Sequence, residues 1–186
     1  PGLTRFLVGR FLYTDAINTL IGGFLALFVI SELGLSPDEV NTLLAIAIVA
    51  AIGGGLLGGT AANRLGARRS LRTTLLVWTT AILLGSLAAV FDVSSLIWIV
   101  GVMGGLALGA TWASDRVLMY ELSPPERLGE FYGLYATVGR FATIIGPLVW
   151  ALIVDVFRWG RPAAMTALAA FVLGGWRVVG AGESVN

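Results

Sequence analysis

Long apolar stretches separated by short polar links dominate the pattern of this sequence. A helix needs about 20 mostly apolar residues to cross a bilayer. The pattern therefore predicts six membrane helices, over Leu3–Ile30, Val40–Ala62, Leu71–Phe91, Ser95–Tyr120, Glu130–Val154 and Pro162–Val179. We expect an all-α membrane protein with one six-helix domain over 1–186, made of a three-helix repeat over 3–91, a second repeat over 95–179 and a tail over 180–186.

Two of the polar links have the residue order of a helix start. Ser36-Pro37-Asp38-Glu39 offers a capping serine, a proline at the first helical position and acids in the first turn. Ser123-Pro124-Pro125-Glu126 repeats that order, with Glu126 placed to complete a capping box. Both links predict a capped helix immediately after them.

The composition supports a lipid environment and excludes several classes of function. Only 12% of the 186 residues are charged and 57% are hydrophobic, whereas soluble domains carry about 25% charged residues. The net charge of +1 gives no basis for nucleic-acid binding. The sequence has no Cys and no His, which removes thiol chemistry and the commonest acid–base group and metal ligand. We expect no cofactor, no metal and no enzymatic activity.

Two charged residues fall near the middle of predicted helices. Asp15 lies about a dozen residues into helix 1 and Arg140 about ten residues into helix 5, each roughly 15 Å deep at 1.5 Å per residue. Asn18 shares a helix face with Asp15. Charges at that depth are costly and usually face a bundle interior. One interpretation is a proton or cation site at Asp15 with Arg140 as its counter-ion or an anion-binding group; the other is a static ion pair that only locks two helices.

Asp115 and Arg116 lie nearer the end of predicted helix 4. As neighbours on a helix they point about 100° apart, so both cannot face one partner. Arg116 shares a stripe with Trp112 and Tyr120. That stripe is either an aromatic-lined wall of a cavity or an interfacial belt.

Small residues at four-residue spacing mark predicted helices 2 and 4. Gly54 and Gly58 lie in the former, and Gly105 and Gly109 in the latter. Such spacing lets membrane helices approach backbone to backbone, so we predict tight packing here. Gly146 and Pro147 in helix 5 belong to the same predicted set of packing positions.

Arginine placement predicts the orientation of the chain. Arg64, Arg68 and Arg69 fill the link between helices 2 and 3, and the opposite side is richer in acids. The positive-inside rule therefore puts both termini in the cytoplasm. The chain begins Pro-Gly-Leu and its first methionine is Met103, so we expect a processed piece or a fragment of a longer protein.

The link between helices 2 and 3 resembles the cytoplasmic motif of the major facilitator superfamily, G-x-x-x-D-R-x-G-x-R-R. The matching positions are Gly59, Asn63, Arg64, Gly66, Arg68 and Arg69. This sequence departs from the motif at Asn63, where the family has Asp. The resemblance implies a gating role for this link, and the departure puts the charged latch of that gate in doubt.

A closer resemblance is to the "unknown major facilitator" family, relatives of the fungal vacuolar effluxer proteins of autophagy. It rests on Arg5-Phe6-Leu7 through Asp15 and Asn18-Thr19, and on Gly109 through Ser114-Asp115-Arg116, Glu130-Phe131-Tyr132-Gly133 and Gly139-Arg140 to Gly146-Pro147. The resemblance implies the C-terminal half of a twelve-helix transporter, built as inverted three-helix repeats. Helices 1 and 4 would then line the cavity, helices 2 and 5 would flank it, and helices 3 and 6 would face lipid.

These expectations combine into one leading function and one alternative. The leading function is half of a secondary active transporter that moves a small solute, amino acid-like by the resemblance, by alternating access and with proton coupling. Its partners would be the lipid bilayer, the solute and a second six-helix half, which is a missing N-terminal half or another copy of this chain. We expect it in a bacterial plasma (inner) membrane. The alternative is a non-transporting scaffold or assembly subunit that pairs with another half.

Overall fold

The computed structural model describes residues 2–181 of the chain. Within that range the chain forms six long apolar helices and no strand, which confirms the predicted all-α membrane fold. The helices, numbered 1 to 6 in order, are Gly2–Leu33, Pro37–Leu65, Ala67–Val90, Leu96–Leu122, Pro125–Val156 and Arg161–Gly180. The predicted tail over 180–186 lies almost wholly outside the described residues.

The two links with the residue order of a helix start behave differently. At the start of helix 2 the Ser36 hydroxyl accepts the Glu39 amide at 3.3 Å, and the Glu39 carboxylate accepts the Ser36 amide at 2.8 Å. That capping box confirms the prediction. The matching prediction before helix 5 is wrong, because Ser123 donates its hydroxyl back to the Met119 carbonyl at 2.7 Å and so finishes helix 4.

Helix 1 changes its pitch near its middle. A wide π-type turn over Leu20–Phe24 separates the regular segments Gly2–Thr19 and Leu25–Leu33. Gly23 lies at a φ of 117° in this turn, in the left-handed region that residues with a side chain rarely adopt. The Phe24 ring packs edge-on against Trp150 of helix 5 at 5.2 Å between centroids, so the irregular part of helix 1 lies beside helix 5.

Helix 5 is also interrupted, and this corrects the prediction of one continuous helix over Glu130–Val154. Its α-helical segments are Leu128–Phe141 and Ile145–Ala151, with a wide turn after them. Pro147 has no amide to offer the carbonyl of Thr143 one turn earlier. The Thr143 hydroxyl donates instead to the Arg140 carbonyl at 2.9 Å, which satisfies one of the carbonyls that the break frees.

Helices 2 and 4 are in backbone contact along a shared face. A Cβ atom added to Gly54 would lie 2.7 Å from the Leu106 Cα, and one added to Gly105 would lie 2.9 Å from the Ala47 Cα. Gly58 and Gly109 are equally crowded by helix 4 and helix 2 respectively. No side chain fits at these positions without moving a backbone.

Helix 3 buries one side against its neighbours, whereas Leu76, Leu83 and Leu87 on its other side are exposed. Leu71 and Leu75 are fully buried on it. Its polar side chains also turn inward: the Trp78 indole donates to Thr111 of helix 4 at 3.1 Å, and Ser86 donates to the Pro162 carbonyl of helix 6 at 2.8 Å. These bonds tie helix 3 between helices 4 and 6, whereas helices 2 and 5 carry much of the exposed surface.

Both described ends of the chain lie on the same side of the bundle. The Arg5 guanidinium near the start of helix 1 donates to the Ala181 carbonyl after helix 6 at 2.9 Å. On the opposite side, Arg161 and Glu32 form an ion pair at 2.8 Å that joins the ends of helices 6 and 1. An even number of helices brings the chain back to the side where it began.

Candidate functional site

A buried ion pair joins helix 1 to helix 4. Arg10 and Asp115 are 8% and 2% exposed, and the Arg10 Nε lies 3.4 Å from the Asp115 Oδ2. Two tyrosines complete the carboxylate's surroundings: the Tyr135 hydroxyl of helix 5 donates to Oδ1 at 2.9 Å and the Tyr13 hydroxyl of helix 1 approaches Oδ2 at 3.4 Å. We call these four residues the Asp115 cluster. It fastens three helices through one carboxylate.

The guanidinium of Arg10 is held more by stacking and charge than by hydrogen bonds. It lies over the Tyr135 ring, 3.6 Å from the centroid, a distance at which cation–π attraction is strong. Gly139 of helix 5 leaves room for the Arg10 guanidinium, since a Cβ on this glycine would come within 2.8 Å of the Arg10 Nη1. Among the described residues no acceptor meets Nε or Nη1 in hydrogen-bond geometry, so the arginine keeps unused donors.

A second buried acid, Asp15, lies on helix 1 outside the Asp115 cluster. Its side chain is fully buried, and within residues 2–181 no donor reaches either carboxylate oxygen in hydrogen-bond geometry. The groups that act on it are the backbone amides of Ile144, Ile145 and Gly146, at the break in helix 5. A Cβ on Gly146 would lie 3.0 Å from the Asp15 Oδ2. Glycine therefore lets the broken helix approach the acid closely.

Polar neighbours of Asp15 bind the same break. The Asn18 side-chain amide donates to the Ala142 carbonyl at 2.9 Å, and the Thr19 hydroxyl donates to the backbone carbonyl of Asp15 at 2.7 Å. Gly146 also faces Thr19, whose hydroxyl oxygen occupies the space that a side chain would need. Helix 1 thus meets the interruption of helix 5 with an unpaired carboxylate, an amide and a hydroxyl.

The expected pair of Asp15 and Arg140 is not formed in the described part of the chain. Arg140 is exposed, whereas Asp15 is fully buried. The reason is the rotation of helix 5: Gly139 faces Arg10 of helix 1, so the next residue projects about 100° away from helix 1. The role of Arg140 as counter-ion is corrected accordingly, and the buried arginine of this bundle is Arg10.

Asp115 and Arg116 face different surroundings, as the helical geometry requires. Asp115 is at the centre of the Asp115 cluster, whereas the Arg116 side chain is exposed on the other side of helix 4. The Arg116 backbone carbonyl accepts the Tyr132 hydroxyl at 3.1 Å. Arg116 lines a cavity together with Trp112 and residues of helix 2.

The link between helices 2 and 3 is a tight turn with exposed side chains. Gly66 makes it at a φ of 88°, a value that favours glycine. Asn63, Arg64 and Arg69 are exposed, and Arg68 is half-buried. Gly59 has no neighbouring atom within 4 Å of an added Cβ. The motif thus lies on the side of the bundle where both described chain ends lie.

Sequence reasoning missed three members of the Asp115 cluster. Arg10, Tyr13 and Tyr135 are not among the predicted site residues. A signal was present, because Arg10 and Tyr13 are three residues apart and share a helix face. Their partner on helix 4 depends on how the helices are rotated against each other, which the sequence does not state.

The described residues hold no group of three acids that suits a metal ion. The fold matches the solved structure of the major facilitator proton:xylose symporter XylE with a TM-score of 0.70, at 19% identity, over 97% of this chain and 44% of that one. Six helices arranged in this way have the fold of one half of a major facilitator protein.

The chain belongs to the family described as "Vacuole effluxer Atg22 like", whose model matches residues 1–179. It is 25% identical over 173 residues to the uncharacterized MFS-type transporter YxiO of Bacillus subtilis, covering 92% of this chain and 39% of YxiO. It is 31% identical over 160 residues to autophagy-related protein 22 of Kluyveromyces lactis, covering 81% of this chain and 32% of that protein. The predicted resemblance to the major facilitator superfamily and its Atg22-like family is confirmed. The chain spans less than two-fifths of the length of these relatives.

Proposed function

We propose that this chain is the C-terminal half of a secondary active transporter and moves a small solute by alternating access against a second six-helix half. The share of XylE that it covers, 44%, supports a missing half of similar size. Helix 5 supports it as well, since no residue of its Leu128–Phe141 segment is buried within this bundle. This segment of helix 5 is therefore available to pack against the second half.

The observation that carries the coupling mechanism is the unpaired, fully buried carboxylate of Asp15 at the break in helix 5. A carboxylate without partners is costly in a membrane interior, and a bound proton removes its charge. The backbone amides that face it favour its charged form, so the acid can release a proton as well as bind one, and the same amides repel a metal cation. We therefore infer that the coupling ion is a proton. The neighbouring ionisable groups Arg10, Tyr13, Asp115 and Tyr135 contact one another and not Asp15.

Interrupted helices beside a midplane acid are a recurring arrangement in secondary transporters. Helix 1 widens at Leu20–Phe24 and helix 5 breaks between Phe141 and Ile145, so both helices that enclose Asp15 are able to bend close to it. In the proposed cycle, bending opens Asp15 to one side of the membrane for protonation and then to the other side for release. The Asp115 cluster, which includes Tyr13 two residues from Asp15, holds helices 1 and 5 to helix 4 beside this site.

The first solutes to test are amino acids, in keeping with the resemblance to the fungal effluxers. The membrane proposed is the plasma membrane of a bacterium, with the arginine-rich link between helices 2 and 3 in the cytoplasm. The bacterial relative YxiO supports this assignment. The termini of this half then lie on the cytoplasmic side.

The test is uptake into liposomes by the natural full-length chain that contains these residues. An imposed pH gradient drives accumulation of labelled leucine or another amino acid in the wild type. Asp15→Asn should abolish gradient-driven accumulation yet keep equilibrative exchange of the solute, because the amide fits the site and takes no proton. Asp155→Asn is the matched control, since Asp155 is exposed near the end of helix 5.

Two results would contradict the proposal. If Asp15→Asn accumulates solute with the wild-type pH dependence, Asp15 is not the proton site. If the wild type moves no solute while its two halves still assemble, the scaffold function is correct and transport is not. The elution volume of each variant in mild detergent shows whether it is folded. This control distinguishes loss of coupling from loss of structure.

A further inference from the structure

An apolar groove runs along the seam of helices 2 and 4, is also lined by residues of helices 1, 3 and 6, and remains unoccupied by side chains of the described residues. It consists of two adjoining cavities of about 620 and 400 Å³. They share the lining residues Ala51, Ile52, Gly109 and Trp112. Volumes of a few hundred Å³ are typical of sites for small molecules, so the groove is large enough for a solute.

Small residues create this groove. Gly101 and Gly104 of helix 4 and Ala47 and Ala51 of helix 2 line the larger cavity. A Cβ at Gly104 would have only the Trp78 ring in ordinary contact, at 3.8 Å. A larger side chain at Gly104 would therefore extend into the cavity. The close approach of helices 2 and 4 therefore leaves an open apolar surface beside the seam.

One charge lies in the groove. Of the residues that line either cavity, Arg116 is the single ionisable one within the described chain. It follows Trp112 by one helical turn on the same face, and side chains on a helix lean toward its N-terminus, which here is the direction of Trp112 and the larger cavity. No carboxylate of a described residue pairs with its guanidinium. The groove thus presents one cation and a long apolar wall.

Within residues 2–181 no acid lines the groove to complement that cation. The nearest acid in sequence, Asp115, points to the other side of helix 4 and is already bonded to Tyr135 and paired with Arg10. A ligand with a carboxylate and an apolar body would find a partner for each part. An ammonium group on the same ligand would lose water and gain no partner here.

We propose that this groove is the solute site and that it recognises an apolar carboxylate: Arg116 binds the carboxylate, and Trp112 with the small-residue wall binds the apolar body. Arg116 is then the residue that determines specificity for an anion, and the α-amino group of an amino acid is not recognised. This inference rests on the proposed transport function, because it assigns the solute class of that function. A guanidinium pairs with a carboxylate through two parallel hydrogen bonds.

The experiment is equilibrium binding of labelled 4-methylpentanoate to the natural full-length chain in detergent. Leucine, 3-methylbutylamine and phosphatidylglycerol are the competitors. We expect leucine to compete at least tenfold more weakly than unlabelled 4-methylpentanoate, and the amine not to compete. Arg116→Gln should weaken binding at least tenfold and Arg116→Lys less, whereas Arg177→Gln, which changes an exposed arginine of helix 6, should have no effect.

A second pair of variants tests the groove independently of the charge. Gly104→Leu should fill the larger cavity and abolish binding. Ala170→Leu is its control, since Ala170 is exposed on helix 6 and lines neither cavity. Elution volume and thermal stability in detergent confirm that both variants are folded.

Each of four results of the binding experiments would overturn the inference: leucine binding more tightly than 4-methylpentanoate, full binding by Arg116→Gln, full binding by Gly104→Leu, or displacement by phosphatidylglycerol alone. The first would mean that an acid outside these residues meets the ammonium, and the last that the groove holds lipid. Uptake of another solute without binding of 4-methylpentanoate refutes the groove and leaves the transport proposal standing. Binding without any uptake refutes transport and leaves the groove assignment standing.

Discussion

Replacing Gly54 by alanine tests whether backbone contact between helices 2 and 4 stabilises the bundle. The added Cβ would lie 2.7 Å from the Leu106 Cα, whereas carbon atoms in favourable contact are about 3.5–4.0 Å apart. The obstacle is backbone on both sides, so no side-chain rotation relieves it. The two helices must separate locally by about 1 Å.

That separation sets the size of the expected effect. Each carbon–carbon contact is worth about 0.15 kcal/mol, and a gap of 0.5–1 Å forfeits roughly a quarter to a half of it. If about 40 atom pairs along the seam lose a third of their attraction, the free energy of unfolding falls by about 2 kcal/mol. This agrees with the 1–3 kcal/mol that overpacking typically costs.

The assay is reversible unfolding in mixed micelles of dodecyl maltoside and sodium dodecyl sulfate, followed by circular dichroism. Gly59→Ala is the matched control on the same helix, because an added Cβ there meets nothing within 4 Å. Alanine favours the helical state over glycine, so this control should be as stable as the wild type or more stable. Equal stability of Gly54→Ala and Gly59→Ala would refute the reasoning from backbone contact.

Two other changes have expected effects on stability. Asp115→Leu leaves Arg10 buried without its counter-charge and should lower the free energy of unfolding by about 3–5 kcal/mol in the same assay. Arg127→Gln breaks the exposed Arg127–Glu130 pair and should lower it by less than about 1 kcal/mol. Similar losses in the two variants would contradict the role given to burial. Ser36→Ala removes the cap of helix 2 and should cost about 1 kcal/mol, seen as faster hydrogen exchange of the amide of Glu39; unchanged exchange would contradict it.

The helices and several of their ends could be predicted because they depend on local features. Apolar runs of sufficient length predict the six helices, and Ser36 with Glu39 predicts the capping box before helix 2. The break in helix 5 was missed although Pro147 is visible in the sequence. Membrane helices often tolerate proline when neighbours satisfy the freed backbone groups, so Pro147 alone does not distinguish a kink from a break.

The buried charges were found more readily than their partners. Asp15 and Asp115 stand out in apolar runs, but which arginine faces which acid depends on the rotation of helices that are distant in sequence. Arg140 was assigned to Asp15 by depth alone, and depth says nothing about which side of helix 5 a residue occupies. The contact of Gly139 with Arg10 shows which side of helix 5 faces helix 1.

The pairing of Arg10 with Asp115 has a consequence for how the protein is made. The two residues of the ion pair are separated by 105 positions (115 minus 10), which at a synthesis rate of about 5–20 residues per second amounts to roughly 5–20 s. During that interval helix 1 enters the bilayer with a guanidinium whose counter-charge has not yet been translated. An unpaired arginine costs about 2.5–3.5 kcal/mol at the centre of a membrane helix on insertion scales, and less at the position of Arg10 in the first third of helix 1. Helix 1 therefore gains stability in the bilayer once helix 4 emerges and supplies Asp115.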